Sequence, residues 1–190
     1  MKLVFATNNP NKLSEIRSLV PVGIEILSLR EINCNEELPE TNPTLQENAF
    51  QKAKYVFDNY GFNCFADDTG LEIDALGGEP GVYSARYAGE GCNPEDNMKK
   101  VLDKLFNESN RTAKFSTVIA LIVNREEHTF FGECTGQITK TKSGVEGFGY
   151  DPIFTPDGYD ITFAEMTKDA KGKISHRGKA VEKLVSFLHR

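Results

Sequence analysis

The chain has 190 residues, 39% of them hydrophobic, with a formal charge of −6. That is enough for one sizeable core, or one core shared by two lobes. The acidic balance excludes a general nucleic-acid binder, which would be basic. The longest apolar run, "FSTVIALIV", is strand-sized and too short to span a bilayer. "MKLVFATNN" begins a strand at once and lacks the cleavage region of a signal peptide, so a cytoplasmic protein is expected. Cys34, Cys64, Cys92 and Cys134 lie far apart, form no CxxC pair and make no ligand spacing with the histidines, and are expected to be reduced thiols.

In chain order, residues 2–7 ("KLVFAT") read as a buried strand ending in a polar loop. Residues 10–20 follow as a helix with Leu13, Ile16, Leu19 and Val20 inward, and 24–29 as an alternating strand. Thr44 and Glu47 form a capping-box pattern at the start of a helix that Gly61 closes. "NCFADD" and "LEIDAL" read as short strands flanking an acidic turn. Asn93 caps a helix with Pro94 at its first position. Residues 112–124 and 127–140 read as long strands joined by a tight turn near Asn124–Glu127. The final helix starts from Ser175. There is no repeat and no linker, so a single domain over 1–190 with an α/β fold and a mixed sheet is expected.

Four segments carry chemistry. In "ATNNPNK" a strand ends and a helix begins, and helix N-termini bind anions because their first N–H groups point outward. Thr7, Asn8, Asn9 and Lys12 add donors and a charge, making a phosphate cradle without the glycines of a Walker loop. The plainer alternative is a capped helix with a solvated lysine. In "FADDTG", Asp67 and Asp68 point to opposite sides if the strand continues, so one of them faces a given site. A carboxylate there suits Mg²⁺, with Glu40 as a candidate second ligand; the alternative is a turn with solvated acids. In "GVEGFGYDPIF", the glycines admit a flat ligand, Phe148 or Tyr150 could stack on it, and Asp151 could accept hydrogen bonds from it. In "KGKISHRG", Ser175 is a fitting N-cap, which puts His176 and Arg177 where the helix dipole opposes cations. An anionic or carbonyl-bearing ligand would remove that conflict.

Together these segments resemble the inosine triphosphate pyrophosphatase family, the XTP/dITP diphosphatases. The resemblance covers almost the whole chain through T-N-N-x-x-K (7–12), A-D-D-T-G-L (66–71), "ALGGEPGVYSARYAG" (75–89), "GFGYDPIF" (147–154) and "SHRG" (175–178). Thr69 stands where many members carry Ser and keeps the hydroxyl. The resemblance implies an elongated mixed sheet with flanking helices, two lobes around a central active-site cleft, and a homodimer. It implies hydrolysis of ITP, dITP and XTP to monophosphate and pyrophosphate with Mg²⁺, clearing deaminated purines from the nucleotide pool. It places Thr7, Asn8, Asn9, Lys12 and Lys52 on the phosphates, Glu40 and Asp68 on the metal, and Asp68 as proton acceptor. Thr69, Phe148, Gly149, Tyr150, Asp151, Lys171, Ser175, His176 and Arg177 complete the substrate site. Donors from His176 and Arg177 would meet the O6 of inosine or xanthine and clash donor-to-donor with the amine of ATP. Two rivals are a Maf-like nucleotide pyrophosphatase, disfavoured by the SHR and GFGYDP segments, and a non-catalytic purine nucleotide sensor, which would not need Glu40 and Asp68.

Overall fold

The computed structural model describes residues 1–189. Along them run β1 (Lys2–Phe5), α1 (Pro10–Leu19), β2 (Glu25–Leu27), α2 (Leu45–Tyr60), β3 (Cys64–Ile73), β4 (Pro80–Gly81), α3 (Pro94–Lys104), β5 (Thr112–Val123), β6 (Glu126–Ile138), β7 (Phe154–Pro156), α4 (Lys168–Ile174) and α5 (His176–Leu188). The strands hydrogen-bond in the order β2-β1-β3-β5-β6-β7, with β4 on β3. β1 pairs parallel with β2 and β3, while β4 and β7 pair antiparallel with β3 and β6. The fold is mixed α/β, as the element pattern predicts. The hairpin turn falls at Asn124 and Arg125, both at positive φ (51° and 69°), the backbone that a two-residue turn between twisted strands requires.

The chain divides into two compact units. The first takes Met1–Asp68, Thr117–Gly132 and the described residues from Arg177 on; the second takes Thr69–Ser116 and Glu133–His176.

In the first unit, strand alternation builds two separate cores. Val4, Ala6, Cys64, Ala66, Ala120 and Ile122 pack with Ala49, Ala53 and Val56 of α2. The residues between them, Leu3, Phe5, Phe65, Ile119 and Leu121, pack with Ile16 of α1 and Ala180, Val181 and Leu184 of α5. Both faces of the strands are thus covered, which explains their near-continuous apolar runs. Phe5 and Phe65 stand opposite each other across the β1–β3 pairing, and their rings stack at 4.7 Å between centroids. Such a pair adds about 0.5–1.5 kcal/mol to its area burial.

The second unit has its own core, in which Leu71, Ile73, Met98, Val101, Phe115, Phe154 and Phe163 are buried together. Asn93 caps α3 by accepting from the N–H groups of Glu95 and Asp96, and Pro94 opens the helix, as the sequence predicts.

Two sequence expectations change. The acidic turn between two short strands is instead one continuous strand, β3. Asp67 and Asp68 are buried rather than solvated, and Gly70 carries the strand past the Gly81 carbonyl, where a Cβ would lie 2.9 Å from the oxygen. Lys171 and Lys173 do not precede a lone terminal helix; they occupy the last turn of α4, capped by Thr167, where the helix dipole favours cations. Ser175 ends that helix in extended conformation, its N–H donating to the Lys171 carbonyl at 2.8 Å.

Candidate active site

The β1–α1 loop is held by its own polar side chains. Asn9 caps α1, its Oδ1 accepting from the Asn11 and Lys12 N–H groups at 2.9 and 3.2 Å. The Thr7 hydroxyl oxygen accepts from the Asn9 N–H. The Asn8 side chain accepts from Leu38 N–H and donates to the Glu36 carbonyl, both at 3.0 Å. Asn8 therefore fixes the loop that leads to Glu40. The other end of that loop is tied to α2: Asn48 Oδ1 accepts from Asn42 N–H at 2.8 Å, and Gln51 Oε1 accepts from Thr41 N–H at 2.9 Å.

Strand alternation then sorts the two acids. Asp67 follows Phe65 and faces α1 and α5; Asp68 follows Ala66 and faces α2. Asp67 is fully buried, with Oδ1 on Lys12 Nζ at 2.9 Å and Oδ2 on Arg177 Nε at 3.0 Å. Arg177, 1% exposed, also donates through Nη1 to Glu15. These carboxylates resolve the conflict of a cation in the first turn of α5, where the dipole alone would cost about 0.3–1 kcal/mol. On the other face, Lys52 Nζ meets Glu40 Oε1, lies 3.9 Å from Asp68 Oδ1, and donates to the Asp67 carbonyl oxygen at 2.7 Å.

Burial and these pairings set the protonation. Burial pushes the Asp67 carboxyl up, but Lys12 and Arg177 override it and hold the group well below the usual range. For Glu40 too, Lys52 outweighs burial and lowers the carboxyl. Asp68 goes the other way: burial raises it above the ordinary carboxylate value despite Lys52. Burial lowers Lys12, whereas Asp68 and Glu40 outweigh burial at Lys52 and raise it. Asp68 is thus the better base of the two neighbouring acids, and Asp67 the firmer anchor.

Glu40 and Asp68 meet the same ammonium, so they form a pair of hard oxygen donors that a divalent cation could share. No cluster of three His, Cys, Asp or Glu among the described residues adds to them. That set suits Mg²⁺, which takes one or two carboxylates and fills its octahedron with water and phosphate oxygens.

The second unit holds the aromatic set. Asp151, 3% exposed, accepts on Oδ2 from Phe148 N–H at 2.9 Å and Lys171 Nζ at 2.7 Å. Lys171 Nζ lies 5.0 Å from the centroid of the half-buried Phe148 ring, within cation–π range. The His176 imidazole stacks on Phe115 at 4.5 Å. Gly147, at φ +75°, is where a Cβ would sit 2.0 Å from Asp151 Oδ2, so only glycine leaves room for that carboxylate. Tyr150 belongs to the core, its hydroxyl donating to the Ser84 carbonyl at 2.6 Å, and Gly149 beside it turns the chain at φ 63°. Thr69 is half-buried on β3, directly after Asp68.

The structure gathers Lys12, Lys52, Glu40, Asp68 and Arg177 about Asp67 in the first unit, and Phe148, Asp151, Lys171 and His176 about Phe115 and Phe163 in the second. Asp67, Glu15, Asn48 and Gln51 were not among the predicted site residues. Asp67 had a signal, since an acid inside an otherwise apolar strand needs buried cations. Glu15, at helical spacing from Lys12, reads only as one more surface acid.

A protein-family model described as the Ham1 family matches residues 3–187. The chain is 57% identical over 188 residues to the dITP/XTP pyrophosphatase of Flavobacterium johnsoniae, spanning 99% of this chain and 98% of that protein. It is 56% identical to that of Christiangramia forsetii, over 99% of each chain. The solved structure of the Staphylococcus aureus Ham1 protein superposes with a TM-score of 0.89 at 39% identity, covering 100% of this chain and 98% of that one. A match this long and this close leaves one conclusion: the chain belongs to the Ham1 family.

Proposed function

We propose that this protein hydrolyses dITP, XTP and ITP at the bond between the α- and β-phosphates, adding water and releasing monophosphate, pyrophosphate and a proton. The observation that carries the reading is the buried cluster at the end of the "FADD" run. It sets the cations Lys12, Lys52 and Arg177 against four carboxylates and contains one acid, Asp68, with raised basicity. Relatives that the chain matches over 98% and 99% of their length are named dITP/XTP pyrophosphatases.

In this reading Thr7, Asn8, Asn9, Lys12 and Lys52 hold the phosphates, with Thr69 beside Asp68 on β3 completing the substrate site. Asp68 accepts the proton of the attacking water, for which a carboxyl that burial raises above its ordinary value is suited. Glu40 and Asp68 would hold Mg²⁺, which when bound supplies charge neutralisation on the phosphates. The purine lies against Phe148, beside Gly149 and Tyr150, with Asp151 and Lys171 as its polar neighbours. Donors at Ser175, His176 and Arg177 meet O6, so the amine of ATP faces donors left unpaired. Exclusion of GTP rests on the Phe148–Asp151 segment. A homodimer in the cytoplasm belongs to the same proposal.

The test is product analysis with purified protein and Mg²⁺ on ITP, dITP, XTP, GTP and ATP. Monophosphate and pyrophosphate from the deaminated purines, far faster than from GTP or ATP, is the expected result. Binding of ITP without turnover would make the chain a sensor. Orthophosphate in place of pyrophosphate would move the cleaved bond and overturn the role given to Asp68.

A further inference from the structure

The ion pairs that leave α1 also return to it. Lys12 Nζ meets Asp67 Oδ1, Asp67 Oδ2 meets Arg177 Nε, and Arg177 Nη1 meets Glu15, one helical turn along α1 from Lys12. Charges alternate around this ring and cancel, and the four side chains are 14%, 0%, 2% and 15% exposed in that order. A glutamate serving only solubility would lie in water, not against a buried guanidinium. The Arg177 guanidinium gives Nε to one carboxylate and Nη1 to another. If Glu15 lost its charge, Arg177 would draw harder on Asp67, the group that holds the Lys12 ammonium in place.

We propose that Glu15 is a positioning residue: acting through Arg177 and Asp67, it fixes the Lys12 ammonium where the triphosphate is bound. The proposal rests on the phosphate-binding role given to Lys12 above.

Calorimetric titration with inorganic tripolyphosphate tests it without requiring turnover. Glu15→Gln, which keeps size and hydrogen-bonding capacity, should weaken tripolyphosphate binding about tenfold, and Glu15→Asp should recover part of that loss. In a Lys12→Ala background the Glu15→Gln change should add less than about twofold, because interacting residues are not additive. A folded Glu15→Gln protein that binds tripolyphosphate like wild type overturns the proposal. So does an equal loss with and without Lys12, which would mean that Glu15 merely packs. Should Glu15→Gln fail to fold, Glu15→Asp is carried through the same cycle, and coupling to Lys12 is again the deciding result. Wild-type hydrolysis of dITP, measured alongside, judges the proposed function separately: a chain that binds tripolyphosphate but leaves dITP intact refutes that function without touching the Glu15 comparison.

Discussion

Replacing Asp67 by alanine should be among the most damaging single changes in the first unit. The carboxylate is fully buried and balances Lys12 at 2.9 Å and Arg177 at 3.0 Å. Without it, the part-buried Lys12 and the buried Arg177 face each other as two cations across the space it filled. Breaking a buried ion pair by removing one partner costs about 3–5 kcal/mol. For a chain of this size each kcal/mol moves the melting temperature by roughly 2–4 °C, so the expected loss is about 6–20 °C. Thermal unfolding followed by circular dichroism at pH 7 measures it. Asp103→Ala is the control: Asp103 pairs with Lys99 at 2.6 Å, but the two side chains are 64% and 73% exposed. That exposed pair contributes about 0.5 kcal/mol or less, so its melting temperature should move by no more than about 2 °C. If Asp67→Ala melts as close to wild type as Asp103→Ala does, the cluster is hydrated and its charges are screened. The reasoning about Asp67 would then fail.

The other expectations are narrower. Gly147→Ala should fold, at a cost of about 1 kcal/mol for a side chain at positive φ. Its Cβ would displace the Asp151 carboxylate from Lys171, so the KM for dITP should rise while the second unit stays native by circular dichroism; an unchanged KM would remove Asp151 from the substrate site. Native protein should react at one thiol, Cys92, with a disulfide reagent, since Cys34, Cys64 and Cys134 are buried and burial pushes the Cys64 thiol up to about 12. A second fast-reacting thiol before denaturation would show that one of those cores opens.

Most of the element pattern was legible because it rests on local rules. The Thr44, Asn93 and Gly61 caps fall where the sequence predicts them, and the hairpin turn falls between its two long strands. The failures share a cause. "FADDTG" reads as a turn by composition, because acids before Thr-Gly are usually solvated. It is a strand because three cations that are remote in sequence make burial of the acids affordable. In the same way α4 is short and contains Gly172, and its local signal is weaker than the cap at Thr167 that starts it. The sequence offers a set of candidate site residues but not their partnerships. Nothing local tells that Asn8 braces the Glu36–Leu38 backbone, or that the Tyr150 ring lies in a core while Phe148 remains half-buried.

The division of labour between Asp67 and Asp68 follows from their positions, not from their chemistry, since both are aspartates on one strand. Alternation turns Asp67 toward α1 and α5, where two cations outweigh its burial and hold its carboxyl well below the usual range. It turns Asp68 toward α2, where burial outweighs Lys52 and leaves it with the raised affinity for a proton that a general base needs. Lys52 joins the two, since it takes the carbonyl of one and lies beside the carboxylate of the other. A one-residue slip of β3 would turn both acids to the opposite face, taking Asp67 away from its contacts with Lys12 and Arg177 and Asp68 away from Lys52. In the proposed mechanism the register of β3 against β1, with Val4 opposite Cys64 and Phe5 opposite Phe65, therefore matters as much as the carboxylates themselves.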